Sequence, residues 1–161
     1  MSIEARLTRV EAELAVRNVI ARYGLAADCG DVETALACHT NDAVYVVSNP
    51  NAGRGLAKND LELKGHRAIS DMLLSDMHQS LVPNCAHTVG PLVVKIDGET
   101  AHVTGYSRVY NDQKLMRLAI NSWTMRQEHQ EWKIARRESR IVGDTAAQNL
   151  LKEALTSKLK P

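Results

Sequence analysis

A histidine and an aspartate far apart in this chain could together make a general base. His87 stands in Asn84-Cys85-Ala86-His87-Thr88-Val89-Gly90, at the start of a strand-like segment after a Pro83-Asn84 break. A neutral imidazole takes up a proton near neutral pH once a second group fixes its tautomer and orientation. Asp28, in Ala26-Ala27-Asp28-Cys29-Gly30-Asp31, can be that group if the fold brings both into one pocket. The carboxylate would accept Nδ1–H, leave Nε2 free as an acceptor and stabilise the imidazolium. The C–H to be attacked must be acidified by a carbonyl, an electron-poor ring or a vinylogous position. Each residue also has a structural alternative: Asp28 as a solvated turn residue, His87 as a packed or surface side chain.

Other chemistries have less to build on. Cys29, Cys38 and Cys85 are odd in number and match no zinc spacing, so they read as reduced thiols, with neither a disulfide framework nor a metal site expected. Gly53-Arg54-Gly55 lacks the third glycine of a dinucleotide fingerprint and follows its apolar strand too late. The net charge of +1, with basic and acidic residues interspersed, offers no field for nucleic acid or anionic lipid. No apolar run reaches the length of a membrane span, and Met1-Ser2-Ile3-Glu4-Ala5-Arg6 lacks the apolar core of a signal peptide, so a cytoplasmic location is expected.

The elements that must position the pair follow from periodicity. From Ile3 to about Ala27 apolar residues recur at helical spacing (Ile3, Leu7, Val10, Leu14, Val16, Val19, Ile20, Tyr23), which predicts a long amphipathic helix ended by Gly30. Asp31 is a candidate cap for a short helix from Val32 to Cys38, ending near His39-Thr40-Asn41. Ala43 to Ser48 reads as a strand, Asn49 to Lys64 as a polar loop at the pocket mouth, and Gly65 to about Ser80 as a third helix. Turn signals at Asp97-Gly98, Asn111-Asp112 and Glu128 to Glu131 then separate runs near 85–96, 100–110, 115–127 and 132–142. These imply an antiparallel meander. Gly90-Pro91 marks a bulge, which hides the face that His87 uses. Asp144 is a candidate cap for a final helix over 145–158.

At 161 residues, 44% hydrophobic and 24% charged, the chain reads as one globular domain over 1–161, with its core in about 3–143. Helices followed by a long curved antiparallel sheet describe an α+β cone in which the sheet wraps round the first helix, leaving one end as a natural pocket. Tyr45, Tyr106, Arg108, Asn121 and Trp123 are candidates to line it. Tyr and Trp favour a hydrophobic cyclic or aromatic small molecule as substrate.

The order of elements, with RYGLAADCGD, CAHTVG and EWKIARRESRIVG, resembles the SnoaL-like branch of the nuclear transport factor 2-like superfamily over about residues 3 to 143. More narrowly, it resembles the group of scytalone dehydratase, bile acid 7α-dehydratase and hexachlorocyclohexane dehydrochlorinase. That resemblance implies a conical barrel, a cofactor-free lyase with a His–Asp pair, and a homo-oligomer, trimer or dimer. It places the family aspartate on Asp28, the histidine on His87, the tyrosine on Tyr23 and the last-strand arginine on Arg140. Asn111 falls near a second aspartate of the bile acid enzyme, and none of His39, His66 or His78 aligns with the additional histidine of scytalone dehydratase. The alternative for Tyr23 is core packing. For Arg140 it is an ion pair with Glu138 or Glu128, while Arg136 and Arg137 read as solvated or paired. Functional alternatives on the same fold are a non-catalytic binding or assembly subunit, an isomerase, an epoxide hydrolase and a retro-aldol formaldehyde lyase.

Overall fold

The computed structural model describes residues 2–48 and 60–156. Helix α1 (Ile3–Cys29) starts where Ser2 Oγ accepts the Ala5 N–H, and stops at Gly30, whose φ of 75° is the left-handed conformation that glycine adopts without strain. Asp28 therefore lies in the last turn of the helix. Helix α2 (Val32–Ala37) is capped by Asp31, which accepts the Thr34 N–H as expected.

Strand β1 (His39–Val47) begins four residues before the predicted start. The cause is a parallel contact: Ile134 N–H donates to Cys38 C=O, His39 pairs with Ile134, and the register shifts before Val44 meets Arg136. Strand β2 (Leu61–Lys64) replaces the end of the predicted loop, pairing antiparallel with β1 at Tyr45 and Leu63. The alternation Leu-Glu-Leu-Lys was its signal. The rest of that loop, 49–59, lies outside the described residues, as do 157–161. The predicted third helix is split into α3 (Gly65–Leu73) and α4 (Asp76–Gln79), where Ser75 accepts the His78 N–H and caps a new start.

Strands β3 (Cys85–Asp97), β4 (Thr100–Asn111), β5 (Lys114–Glu128) and β6 (Glu131–Ile141) form the expected antiparallel meander, and α5 (Thr145–Thr156) follows. The full sheet runs β2-β1-β6-β5-β4-β3, mixed because β1 and β6 are parallel, and it is curved but not closed. The expected bulge falls between Val89 and Leu92. It depends on Gly105 opposite, where a Cβ would collide with the Pro91 carbonyl and the Leu92 side chain.

The two sheet faces differ. Val16, Ile20, Tyr23, Ala26 and Ala27 of α1 pack with Val94, Val103, Trp123, Met125, Trp132 and Ile134, so the sheet wraps the second half of the helix. Each fully buried Ile or Val there contributes about 1.5–3 kcal/mol. Ala147 and Leu150 of α5 cover the opposite face at Ile120 and Tyr106. The first half of the α1 pattern, Ile3, Leu7, Val10 and Leu14, remains exposed in the single chain.

Candidate active site

Cross-strand pairing places His87 opposite Val109, two residues from Val89 opposite Ser107. Ser107 Oγ accepts from Asn121 Nδ2–H, and Asn121 lies two residues from Trp123 in the α1-facing core. The His87 row therefore shares the face that looks toward α1. There the last turn of α1 meets it. His87 Nδ1–H donates to Asp28 Oδ1 at 2.5 Å, and the His87 backbone N–H donates to Asp28 Oδ2 at 2.7 Å. The pair is mostly shielded, with 21% of the His87 side chain and 18% of the Asp28 side chain exposed. Gly24, one helical turn before Asp28, permits this approach: a Cβ at that position would stand 3.3 Å from the His87 carbonyl oxygen.

Burial pushes the Asp28 carboxyl upward, but the hydrogen bonds and charge of His87 outweigh it and hold it below the ordinary carboxylate value. Cys85 Sγ–H also reaches Asp28 Oδ1 at 3.5 Å, and burial beside that carboxylate pushes the thiol up to about 11. His78 stacks on His87 with ring centroids 6.3 Å apart, and burial next to His87 lowers its basicity. Asp28, Cys85 and His87 offer ligand atoms within 4.8 Å of one another. His87 Nδ1 is engaged with Asp28 in this set, and three donors would leave a tetrahedral ion with one open position.

A second polar group lies on the same face. Arg137 is buried, its guanidinium 4.6 Å from the Tyr45 ring centre, 5.3 Å from Tyr23 and 5.9 Å from Trp123. Its Nε–H donates to Asn121 Oδ1 at 3.0 Å, continuing the chain to Ser107. Burial raises the Tyr23 hydroxyl to about 12, although Arg137 pulls the other way, so it stays a donor at neutral pH. The Tyr23 ring stands edge-on to His39, 4.8 Å between centroids.

Of the expected lining residues, Tyr45, Asn121 and Trp123 are in this group. Tyr106 and Arg108 are not. Tyr106 packs under α5, and Arg108 donates to the Gly90 carbonyl at 3.1 Å on that outer face. Arg140 is likewise displaced from the expected site: it pairs with Ile120 on the α5 side and is held by Glu138 and Asp60 at 2.6 Å each. The inward arginine is Arg137, which sequence reasoning left as solvated or paired. A register shift on β6, where Met125 faces Ile134 but Thr124 faces Arg136, makes Ala135 an extra residue and reverses the inward parity after it. Asn111, beside the β4–β5 turn, has a buried Oδ1 without a hydrogen-bond partner among the described residues.

A large open groove of about 1050 Å³ lies elsewhere, between the first half of α1, the β3–β4 turn and the end of α5, with Ala12, Ile96, His102, Trp132 and Glu153 among its lining. It contains neither His87 nor Arg137. No helix of the described residues is long and apolar enough to cross a membrane.

Comparison with known proteins agrees with this architecture. A crystal structure of a nuclear transport factor 2-like protein with a cystatin-like fold from Novosphingobium aromaticivorans is 33% identical, with a TM-score of 0.79 over 92% of this chain and 94% of that one. A protein of unknown function from Mycobacterium tuberculosis, its structure solved as an aspartate-to-asparagine variant, has 18% identity and a TM-score of 0.70 over 96% and 91% of the two chains. A protein from N. aromaticivorans provisionally assigned as a scytalone dehydratase has 15% identity and a TM-score of 0.68 over 84% and 87%. No curated protein matches significantly. The profile of the SnoaL-like domain matches residues 8–138, the span from α1 through most of β6 that carries both polar groups, and the chain belongs to that family of the nuclear transport factor 2-like superfamily.

Proposed function

We propose that this chain is a cofactor-independent lyase that eliminates water or a related leaving group from a small cyclic or aromatic substrate. The observation that carries the reading is the doubly bonded Asp28–His87 pair. Nδ1–H is committed to the carboxylate, so Nε2 is the basic nitrogen. It takes the acidic C–H proton, the C–H electron pair becomes the new C=C bond, and the leaving group departs with its bonding pair. For a hydroxyl leaving group, the imidazolium returns the proton and water is released. Arg137 and the protonated Tyr23 hydroxyl supply positive charge and a hydrogen bond for the oxyanion formed in between. General-base catalysis contributes about 10² to 10⁴ in rate, with electrostatic stabilisation of similar order.

A non-catalytic binding subunit would have no need for the pair to touch, and the contact favours the enzyme. Isomerisation shares the first proton transfer, so product analysis separates the two. A homo-oligomer, trimer or dimer, belongs to the same proposal, because the exposed Ile3, Leu7, Val10 and Leu14 stripe gives a second copy apolar surface to cover. Light scattering reads the assembly. The decisive test is a turnover screen of hydroxylated, halogenated and aryl carbonyl compounds with His87→Ala as control. Loss of about 10²-fold or more in the variant is expected. Undiminished turnover would remove the base and the mechanism with it.

A further inference from the structure

We infer that Arg117 and Arg137 form a subsite for the carboxylate of an aromatic substrate, centred on the paired residues Asn121 and Ser139. The proposal rests on reading this face of the cone as the substrate site.

The arginines elsewhere on β5 and β6 show what is unusual here. Arg126, Arg136 and Arg140 each lie within ion-pair distance of a carboxylate. Arg137, 7% exposed, and Arg117, partly buried, have none among the described residues. The stretch 49–59, next to Ser48, contains no Asp or Glu to supply one. Desolvating two guanidinium groups with no carboxylate in direct contact is costly, Asp144 acting on Arg117 only at longer range, and such charges are ordinarily paired.

The two groups converge. Asn121 and Ser139 are cross-strand partners. Arg137 Nε–H donates to Asn121 Oδ1 at 3.0 Å, and Arg117 Nη2 donates to Ser139 Oγ at 3.5 Å and to the Ser48 carbonyl at 3.0 Å. Arg117 springs from the row that also holds His87, through Val109. Nearby, Trp123 is 1% exposed and its indole N–H has no partner among the described residues. A buried donor of this kind awaits an acceptor.

The chemistry selects the ligand. Guanidinium forks match the planar geometry of a carboxylate, and the Tyr23, Tyr45 and Trp123 rings around Arg137 suit a flat apolar body. A carboxylate carries one negative charge against two positive ones. The surplus then opposes the charge that develops when His87 removes the proton.

The test is a binding equilibrium without turnover, measured by calorimetry on the full chain with benzoate and 1-naphthoate against benzamide and 1-naphthamide. At least one carboxylate is expected to bind about ten-fold or more tightly than its amide. Arg117→Gln should reduce that preference to near unity, and Arg117→Lys should keep part of it. Equal affinity for acid and amide, an undiminished preference in Arg117→Gln, or no binding of either acid in the millimolar range would overturn the subsite. Should Arg117→Gln fail to fold by circular dichroism, the acid-to-amide ratio of the unaltered protein decides alone. A His87→Ala variant with full turnover would sink the elimination reading but leave this equilibrium standing.

Discussion

Asp28 grips His87 at two points, with one carboxylate oxygen on the backbone N–H at 2.7 Å and the other on the ring at 2.5 Å. The same side chain thus ties the end of α1 to β3 and fixes the tautomer of His87, the proposed base. Asp28→Asn keeps the shape, but its amide nitrogen must face one of two donors. Turnover should fall about 10²-fold or more while circular dichroism stays unchanged, with a stability loss of about 1–3 kcal/mol. The lowered Asp28 pKa adds a sign: its contribution to stability is complete above the ordinary carboxylate range and disappears as pH falls through the lowered value. In Asp28→Asn that acid-side loss should be absent from the melting profile.

Gly24 offers a way to disturb the base without touching its atoms. Alanine there favours the helix by about 1 kcal/mol, but its methyl meets the His87 carbonyl at 3.3 Å and moves β3 by a few tenths of an ångström. Turnover of Gly24→Ala should drop about ten-fold with the melting temperature held or raised, since small misplacements of a base are costly. An equal fall in both quantities would mean that the helix packing, not the base, had been damaged.

Arg137 and Arg140 make a contrast pair. Arg137→Gln should lower turnover by about 10²-fold, because the charge proposed to face the substrate is removed. Arg140→Gln removes the cation beside Asp60 at the outer face and leaves Glu138 with Arg136 alone, and should change turnover less than two-fold, within about 1 kcal/mol of stability. Steady-state kinetics on both variants checks the assignment of the inward arginine.

His39 should govern stability in mild acid. Its Nδ1–H donates to the Ala35 carbonyl at 2.8 Å, and burial pushes its pKa from 6.5 to about 4. The unfolded chain binds the proton more readily than the folded one, so stability is complete above about 6.5 and declines as pH falls toward 4. The loss is on the order of 3 kcal/mol. His39→Gln should flatten that part of the denaturation profile.

Thiol chemistry reports on the surroundings of Asp28. Cys85 is buried with its pKa near 11, whereas Cys29 is exposed. Iodoacetamide at pH 8 should label Cys29 and spare Cys85, read by peptide mass spectrometry. In Asp28→Asn, Cys85 should become easier to alkylate, because the adjacent negative charge is gone.

Much of this architecture was legible in the residues. The helical period of α1, the glycine stop at Gly30, the Asp31 cap and the turns of the meander are local signals, and each produced the element expected of it. Asp28 and His87 could be paired beforehand because their segments carry a family likeness. What escaped were consequences of register. The parallel β1–β6 contact depends on residues nearly a hundred positions apart, so nothing near His39 announced an early strand. The family resemblance put the last-strand arginine on Arg140, and a single extra residue at Ala135, which no local signal marks, turns Arg137 inward instead. Tyr106 and Arg108 were placed inward for their chemistry, although the inward side of β4 belongs to Val103, Gly105 and Ser107. His78 reaches His87 through the separate short helix α4, which the continuous helical reading concealed.

The reversal at Ala135 also gives the wall facing α1 a heading. Hydrocarbon lines it at Trp132 and Ile134, and cationic and hydroxyl groups line it at Arg137 and Ser139. The amphiphilic guest proposed above would settle there in one orientation, ionised head toward Ser48 and oily tail toward Ile20. In the proposed elimination Nε2 would then meet the same one of two geminal hydrogens every time, so a substrate labelled with deuterium at a single prochiral position should lose or keep its label completely.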